Sequence, residues 1–277
     1  MSEPLRIAVL GAGYVGSAFA RAAAAAKHRV WAVRRSPVST RESAVTWQRG
    51  DIASAAIAGL PERLDVVVLT AAPSAGSDGY EATYIPAAAG AVALAQKTGA
   101  RSLLYTSSTG VYGARDGACV TEQSERRGAG ASNAALIAAE DIVLASGLSA
   151  PTVLRVAGIY GPGRDPRSRM ALAAELPQGG EYWVNLAHRD DIVAALMHVL
   201  ALENAPALLN LSDGSPERAR TVARWLASAV GNDPDALIFG NGAQRSRNDQ
   251  RVSNAALRST GWSPLFADFR QGFTTGM

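Results

Sequence analysis

Residues Arg6–Gly16 read RIAVLGAGYVG, and the rest of the chain is read outward from them. Ile7-Ala8-Val9-Leu10 is an apolar run without alternation, the pattern of a strand buried on both faces. Gly11-Ala12-Gly13-Tyr14-Val15-Gly16 follows at once and opens an Ala-rich stretch that predicts a helix over Gly16–Lys27. A GxGxxG by itself is a weak signal. Placed between a strand and a helix near the amino end, it is what a dinucleotide fold requires. Gly11 permits the tight turn, Gly13 lets the backbone approach a pyrophosphate, and Gly16 lets helix and strand pack closely. Tyr14 and Val15 complete the predicted contacts, and the helix N-terminus offers N–H groups and a positive dipole end. A glycine turn in an ordinary strand–helix unit is the competing reading.

The same alternation continues. Strands are predicted at Arg29–Val33, Val45–Gln48, Asp65–Leu69, Leu103–Tyr105 and Thr152–Val156, with helices at Tyr80–Thr98 and Asn133–Ser146. That order argues for an α/β, doubly wound parallel sheet. In the helix Asn133–Ser146 only Asn133, Glu140, Asp141 and Ser146 are polar, so more than one side must be covered. We expect the sheet on one side and a second subunit on another, giving a homodimer through helices 80–98 and 133–146. From Gly158 the texture changes: Gly158–Arg167 reads as a loop rich in Gly and Pro. Beyond it lie a helix near Asp191–Leu202 that Asp190 is placed to cap, a strand at Leu208–Leu211 and a helix at Glu217–Val230.

The composition narrows the function. The chain has 277 residues, is 48% hydrophobic and 18% charged, and so reads as a soluble globular protein. A formal charge of +3 with no block of like charge gives no reason to expect a nucleic-acid partner. Cys119 is the only cysteine, which excludes an internal disulfide and a cysteine-built metal site. It reads as incidental, in a polar loop. His28, His188 and His198 lack the spacing of metal ligands, so no metal is expected. The run Ala22–Ala26 lies in an apolar stretch well short of the roughly 20 residues a membrane span takes. With a strand-like start close to Met1, we expect no signal peptide, no membrane partner and a cytoplasmic location.

The second strand ends in Trp31-Ala32-Val33-Arg34-Arg35-Ser36. An NAD site would usually carry Asp or Glu near there for the ribose 2′-hydroxyl. Two arginines suit a 2′-phosphate instead, through charge and forked hydrogen bonds. One charge-assisted bond is worth about 1.5–3 kcal/mol. NADP(H) is therefore favoured over NAD(H), with Arg34 the leading contact and Arg35 and Ser36 beside it. Lys27 and Lys97 are the only lysines, so a pair of surface arginines in an Arg-rich chain competes with this reading. By strand order, Asp51-Ile52 is expected to border the adenine and Thr70-Ala71-Ala72 the nicotinamide ribose. Plain loops are the alternative at both places.

Arg101–Gly113 reads RSLLYTSSTGVYG: a buried strand ending in the hydroxyls of Thr106, Ser107, Ser108 and Thr109. Taken together, GAGYVG, TSSTGVYG (106–113), LRVAGIYGPGR (154–164) and HRDDI (188–192) resemble the extended short-chain dehydrogenase/reductase family. More narrowly the chain is similar to its NAD-dependent epimerase/dehydratase-type members, as far as about Leu211. The resemblance implies a Rossmann core over 1–157, completed by 187–211, and a small substrate lobe from 158–186 and 212–277. It implies hydride transfer to or from nicotinamide, with a Ser or Thr after the fifth strand, here Ser108, and a Tyr-x-x-x-Lys on the next helix. Thr109, Tyr160 and Arg164 fall on the substrate side, with an anionic contact and a plain surface arginine the two readings of Arg164. Arg247, Arg251, Ser253 and Asn254 lie where polar residues of that lobe gather.

The Tyr-x-x-x-Lys is missing. Aligning the helix by Glu140 puts Ser132 at the Tyr position and Leu136 at the Lys position, and Ala23 and Ala93 stand four residues before the two lysines. Ser132 reads instead as an N-cap for a helix beginning at Asn133, and Leu136 as core. Acid–base help of this kind typically contributes about 10²–10⁴ in rate. Tyr112, four residues past Ser108, stands as the substitute catalytic candidate, with Tyr80, Tyr84 and Tyr160 less well placed. A structural tyrosine is the other reading of Tyr112. Two functions follow as expectations. One is an NADP(H)-dependent reductase or epimerase-like enzyme of atypical mechanism on a small polar carbonyl or sugar derivative. The other is a non-catalytic NADP(H) sensor or scaffold.

Overall fold

The structure is a computed structural model. It describes residues 3–36, 43–53, 57–73, 79–114, 116–127, 130–164, 177–240 and 249–275. The chain forms two compact units: Met1–Val111, Gly128–Arg155 and Ile192–Leu209 make the first, and Tyr112–Arg127, Val156–Asp191 and Asn210–Met277 the second.

The first unit is built on β1 (Arg6–Leu10), β2 (Arg29–Arg34), β3 (Thr46–Arg49), β4 (Val66–Leu69) and β5 (Ser102–Ser108). Past β6 (Ala118–Val120) come β7 (Ala150–Val156) and β11 (Leu208–Leu211), two strands that run on into the second unit. The seven-stranded parallel sheet has the order β11-β7-β5-β4-β1-β2-β3. The chain winds outward from β1 to β3, then crosses back to lay β4 on the other side of β1. The strand order therefore reverses beside β1, where an open parallel sheet leaves a crevice at its carboxyl end. Register aligns Leu10 with both Val33 and Leu69, so the three strands end level. Ile7–Leu10 and Val66–Leu69 are buried throughout, as their unbroken apolar runs require.

Helices α1 (Tyr14–Ala25), α2 (Glu81–Thr98) and α3 (Ala131–Leu144) cover the sheet. Helix α2 can lie close because residue 90 is Gly: a β-carbon there would run into the Ile52 carbonyl. Helix α3 buries Ala135, Leu136, Ala139, Glu140 and Val143 and packs along α2. Helix α2 of the same chain covers one further side of α3. Its N-cap is Gly130, with no side-chain capping bond, so Ser132 lies inside the first turn rather than capping it. Helix formation simply starts two residues earlier, at Ala131.

One charged cluster lies inside this unit. Arg155 on β7 donates to Glu140 on α3 through Nε, at 3.0 Å from Oε1, and Nη2, at 2.7 Å from Oε2. Ser107 on β5 donates its hydroxyl to Glu140 Oε1 at 2.7 Å. The two charged side chains are 2% and 0% exposed. A buried pair of this kind adds little net stability, but removing one partner strands a charge out of water.

The second unit is held by short pairings. Strand β6 runs parallel to β13 (Gln250–Val252), β8 (Gly158–Tyr160) parallel to β10 (Leu186–His188), and β9 (Trp183–Val184) antiparallel to β12 (Glu217–Arg218). Four sequence expectations change here. Gly158–Tyr160 is strand, because it finds a partner in β10, and Cys119 sits exposed in β6 rather than in a loop. Glu217-Arg218 pairs with β9, so α5 starts only at Ala219 and runs to Ala229. Helix α4 (Arg189–Ala201) places Asp190 in its first turn; the capping group is His188, whose Nδ1 accepts the Asp190 N–H at 3.1 Å. Tyr160, Leu186, Val222, Leu226, Phe269 and Phe273 form the apolar core.

Among the described residues of that unit, Asp191 and Asp213 are buried. Burial pushes Asp191 up to about 6 against the hydrogen bond it accepts from Leu265 N–H. Burial, with the nearby Asp268 and Asp191, pushes Asp213 up to about 7, although Ser215 N–H donates to it at 2.9 Å.

Two measurements test these packing arguments. In urea titrations, Glu140→Gln lowers unfolding stability by about 3–5 kcal/mol, while a Glu140→Met/Arg155→Met double variant loses less than either single Met variant. The folded Asp213 binds its proton more tightly than the unfolded chain does. Its contribution is full below about pH 4 and is lost as pH rises through about 7. Wild-type stability therefore falls across that window by on the order of 4 kcal/mol more than that of Asp213→Asn.

Candidate functional site

At the carboxyl ends of β1, β2 and β4 the chain turns tightly. Gly11 adopts φ +87°, and the N–H groups of Gly11 and Ala12 donate to Val33 O at 3.1 and 2.8 Å. Thr70 N–H donates to Leu10 O at 2.8 Å, and Thr70 Oγ1 to Gly11 O at 2.9 Å. A β-carbon on Gly11 would lie 2.6 Å from Ala71 Cα, and one on Gly16 would strike Thr70 Oγ1. Gly13 differs: it is exposed, and the nearest atom to a β-carbon there would be 3.8 Å away. Helix α1 begins at Tyr14 with no side-chain cap and no acidic residue in its first turn. Val15 is buried, so what it offers outward is backbone. This open glycine at an uncapped helix N-terminus fits a pyrophosphate.

One strand over, Arg34 is half-buried and Arg35 and Ser36 are exposed. Arg49, the last residue of β3, pairs with Arg34 in register, and its Nε donates to Arg35 O at 3.2 Å. Three arginines share this corner of the sheet. The sequence reading missed Arg49 because it ended the third strand at Gln48 and gave no register across strands. Asp51 is exposed and accepts Ala53 N–H at 3.0 Å; Ile52 is half-buried and packs on the core. Ala71 is buried and Ala72 exposed.

The hydroxyls that end β5 have separate uses. Thr106 Oγ1 donates to Leu69 O at 3.3 Å, and Ser107 donates to Glu140. Thr109 is buried. Ser108 is half-buried, and its Oγ accepts Gly110 N–H at 3.1 Å, which leaves its own proton uncommitted by that bond. In the first turns of α3, Ser132 is half-buried, and Leu136 is packed in the core.

In the second unit Tyr112 is fully buried, and its phenol donates to Asn210 Oδ1. Asn210 in turn donates its Nδ2 to Ser253 O at 3.1 Å and its backbone N–H to Glu122 Oε1 at 2.6 Å. Tyr160 is buried too, and burial raises its phenol far above the ordinary value. Tyr160 and the exposed Arg164 form the chain's Tyr-x-x-x-Arg, but on a strand and a turn, so helical spacing does not bring them together. In the first unit, burial pushes Tyr84 up to about 12. Neither phenol is tuned to exchange a proton near neutral pH. Arg251 donates to Gly117 O at 2.9 Å and Asn254 to Ser212 O at 2.9 Å; Arg247 and residues 165–167 lie outside the described residues. Among the described residues, no cluster of three His, Cys, Asp or Glu is arranged to hold a metal, and no helix is long and apolar enough to cross a membrane.

Known proteins share this architecture. A putative NAD-dependent epimerase/dehydratase from Methylobacillus flagellatus superposes with a TM-score of 0.79 at 24% identity, covering 99% of this chain and 98% of that one. MoeE5, in complex with UDP-glucuronic acid and NAD, gives 0.84 at 24% identity over 98% and 97%. The dTDP-glucose 4,6-dehydratase of Bacillus anthracis, in complex with NAD, gives 0.83 at 18% identity over 98% and 95%. At such identities the likeness establishes the fold. Among curated proteins, Protein YeeZ of Escherichia coli (strain K12) is 29% identical over 132 residues, 48% of this chain and 47% of that protein, so the match spans about half of each. The family model for the NAD dependent epimerase/dehydratase family matches residues 7–212, which takes in the glycine turn, the hydroxyl-ended strand β5 and the start of α4. The chain belongs to the NAD dependent epimerase/dehydratase family.

Proposed function

We propose that this chain binds NADP(H) at Gly11–Gly16 and acts as a reductase or epimerase-like enzyme of atypical mechanism. The observation that carries the reading is the open Gly13 at an uncapped helix N-terminus, on the side of the sheet where strand order reverses. The NAD in MoeE5 and the Bacillus anthracis dehydratase supports a nicotinamide cofactor. Preference for NADP(H) rests on the arginine corner: Arg34, Arg35 and Arg49 bring positive charge to the end of β2. Asp51-Ile52 and Thr70-Ala71-Ala72 border the nucleotide in this reading.

Bound nicotinamide would give or take a hydride at a carbon bearing oxygen. The chain's part is to hold that oxygen, and Ser108 donates its hydroxyl to it. With Leu136 in place of an ammonium and Tyr112 engaged with Asn210, the oxygen exchanges its proton with water. Turnover is then slow beside that of relatives with a tuned phenol. A small polar carbonyl or a sugar derivative is the substrate class, with Thr109, Tyr160 and Arg164 its expected contacts. The UDP-sugars bound by MoeE5 support the sugar derivative. Pairing of two copies through the outer faces of α2 and α3, in a cytoplasmic dimer, completes the proposal. The missing phenol and ammonium favour a second reading, an NADP(H) sensor without turnover.

Equilibrium titration with NADP⁺ and NAD⁺ tests the cofactor. Wild type binds NADP⁺ more tightly, and Arg34→Ala lowers the affinity ratio about ten- to a hundredfold, while NAD⁺ affinity changes little. An unchanged ratio removes the 2′-phosphate assignment. For the reaction, nicotinamide absorbance is followed with NADPH and small aldehydes and ketones, and with NADP⁺ and UDP-glucose or UDP-glucuronic acid. Substrate-dependent turnover that Ser108→Ala reduces by about 10² or more supports the enzyme; tight NADPH binding without turnover supports the sensor.

A further inference from the structure

Asn133 lies one residue past the position where the family's phenol would stand, half-buried in the first turn of α3. No side chain among the described residues pairs with its carboxamide. A β-carbon built on Gly110 would lie 3.3 Å from Ser108 Oγ and 3.6 Å from Asn133 Oδ1. The two polar groups therefore border one small space, left open because residue 110 has no side chain. Gly110 is absent from the glycines with positive φ, so an L-residue would meet no backbone strain there. What the glycine supplies is room.

We propose that Ser108 and Asn133 together hold a single uncharged oxygen of the substrate, a hydroxyl or a carbonyl, in the space over Gly110. The chemistry of the pair suits both redox forms of such a group. A carboxamide presents N–H to a carbonyl and C=O to an alcohol, and a serine hydroxyl likewise donates or accepts. Neither group carries charge, so the pair holds a neutral oxygen without giving it a proton. Asn133 is a substrate-binding group here, and any proton for the oxygen comes from water. The inference names the substrate contact at the reaction site proposed above and rests on that reading for its catalytic meaning, but the binding claim stands separately.

The test uses the full chain crystallised with NADP⁺ and soaked in glycerol, an uncharged polyol, across wild type, Asn133→Ala, Asn133→Asp and Gly110→Ala. Circular dichroism and NADP⁺ affinity serve as controls for folding. The expected result is one glycerol hydroxyl within hydrogen-bond distance of both Ser108 Oγ and the Asn133 carboxamide in wild type. It is kept in Asn133→Asp, whose carboxylate still accepts from an alcohol. It is lost in Asn133→Ala, and in Gly110→Ala, whose methyl fills the space. Glycerol seated only elsewhere, glycerol unmoved by the Gly110 methyl, or an Asn133 carboxamide bonded to protein atoms overturns the proposal. A groove without NADP⁺ that still holds glycerol between the two residues defeats the cofactor reading alone; bound NADP⁺ with no glycerol at the pair defeats this inference alone.

Discussion

Everything at the candidate site depends on the close approach of two loops at the level ends of three strands. Leu10, Val33 and Leu69 stop side by side, and the turn beginning at Gly11 has to pass between the Val33 carbonyl and the Thr70-Ala71 backbone. There is no volume for a β-carbon at Gly11 or Gly16, and Gly11 also takes a left-handed conformation. Squeezed from both sides, the turn is rigid where it meets the sheet and open at Gly13. Backbone N–H groups held that way are suited to an anion, since the cost of ordering them has been met during folding.

The buried Glu140–Arg155 pair plays the corresponding part on the other side of β4. It ties α3 to β7, and through Ser107 to β5, one residue before Ser108. Charges taken this far from water tolerate little movement, because lost contacts are not replaced by solvent. The end of β5 and the first turns of α3 are thereby held in a fixed relation, and Ser108, Gly110 and Asn133 lie in those two segments. A device that adds little to net stability thus fixes geometry where the chemistry is proposed.

The resemblance implies a phenol whose proton affinity is lowered by an ammonium. Leu136, which the resemblance sets at the ammonium's position, is packed in the core, and burial raises the phenols of Tyr84 and Tyr160. The groups proposed to hold the substrate oxygen are neutral: a hydroxyl and a carboxamide. Groups of this type orient and polarise a bound oxygen, and proton movement falls to solvent.

The sequence by itself determined the first unit's architecture, because both of its signals are local. Unbroken apolar runs mark strands buried on two faces, and the glycine spacing marks a strand–turn–helix, so β1, β2, β4 and α1 lie within about two residues of expectation. Short pairings were illegible: Gly158–Tyr160, Ala118–Val120 and Glu217-Arg218 are strands only because distant partners offer them hydrogen bonds. Likewise the choice of His188 over Asp190 as a cap, and the uses of Ser107 and Tyr112, depend on where helix and loop finally stand. Arg49 beside Arg34 needed register, and Asn133 beside Ser108 needed the path of α3 past β5. Periodicity and steric exclusion act between near neighbours in the chain and can be read from it, whereas pairing, capping and the company a polar group keeps are settled by packing between remote segments.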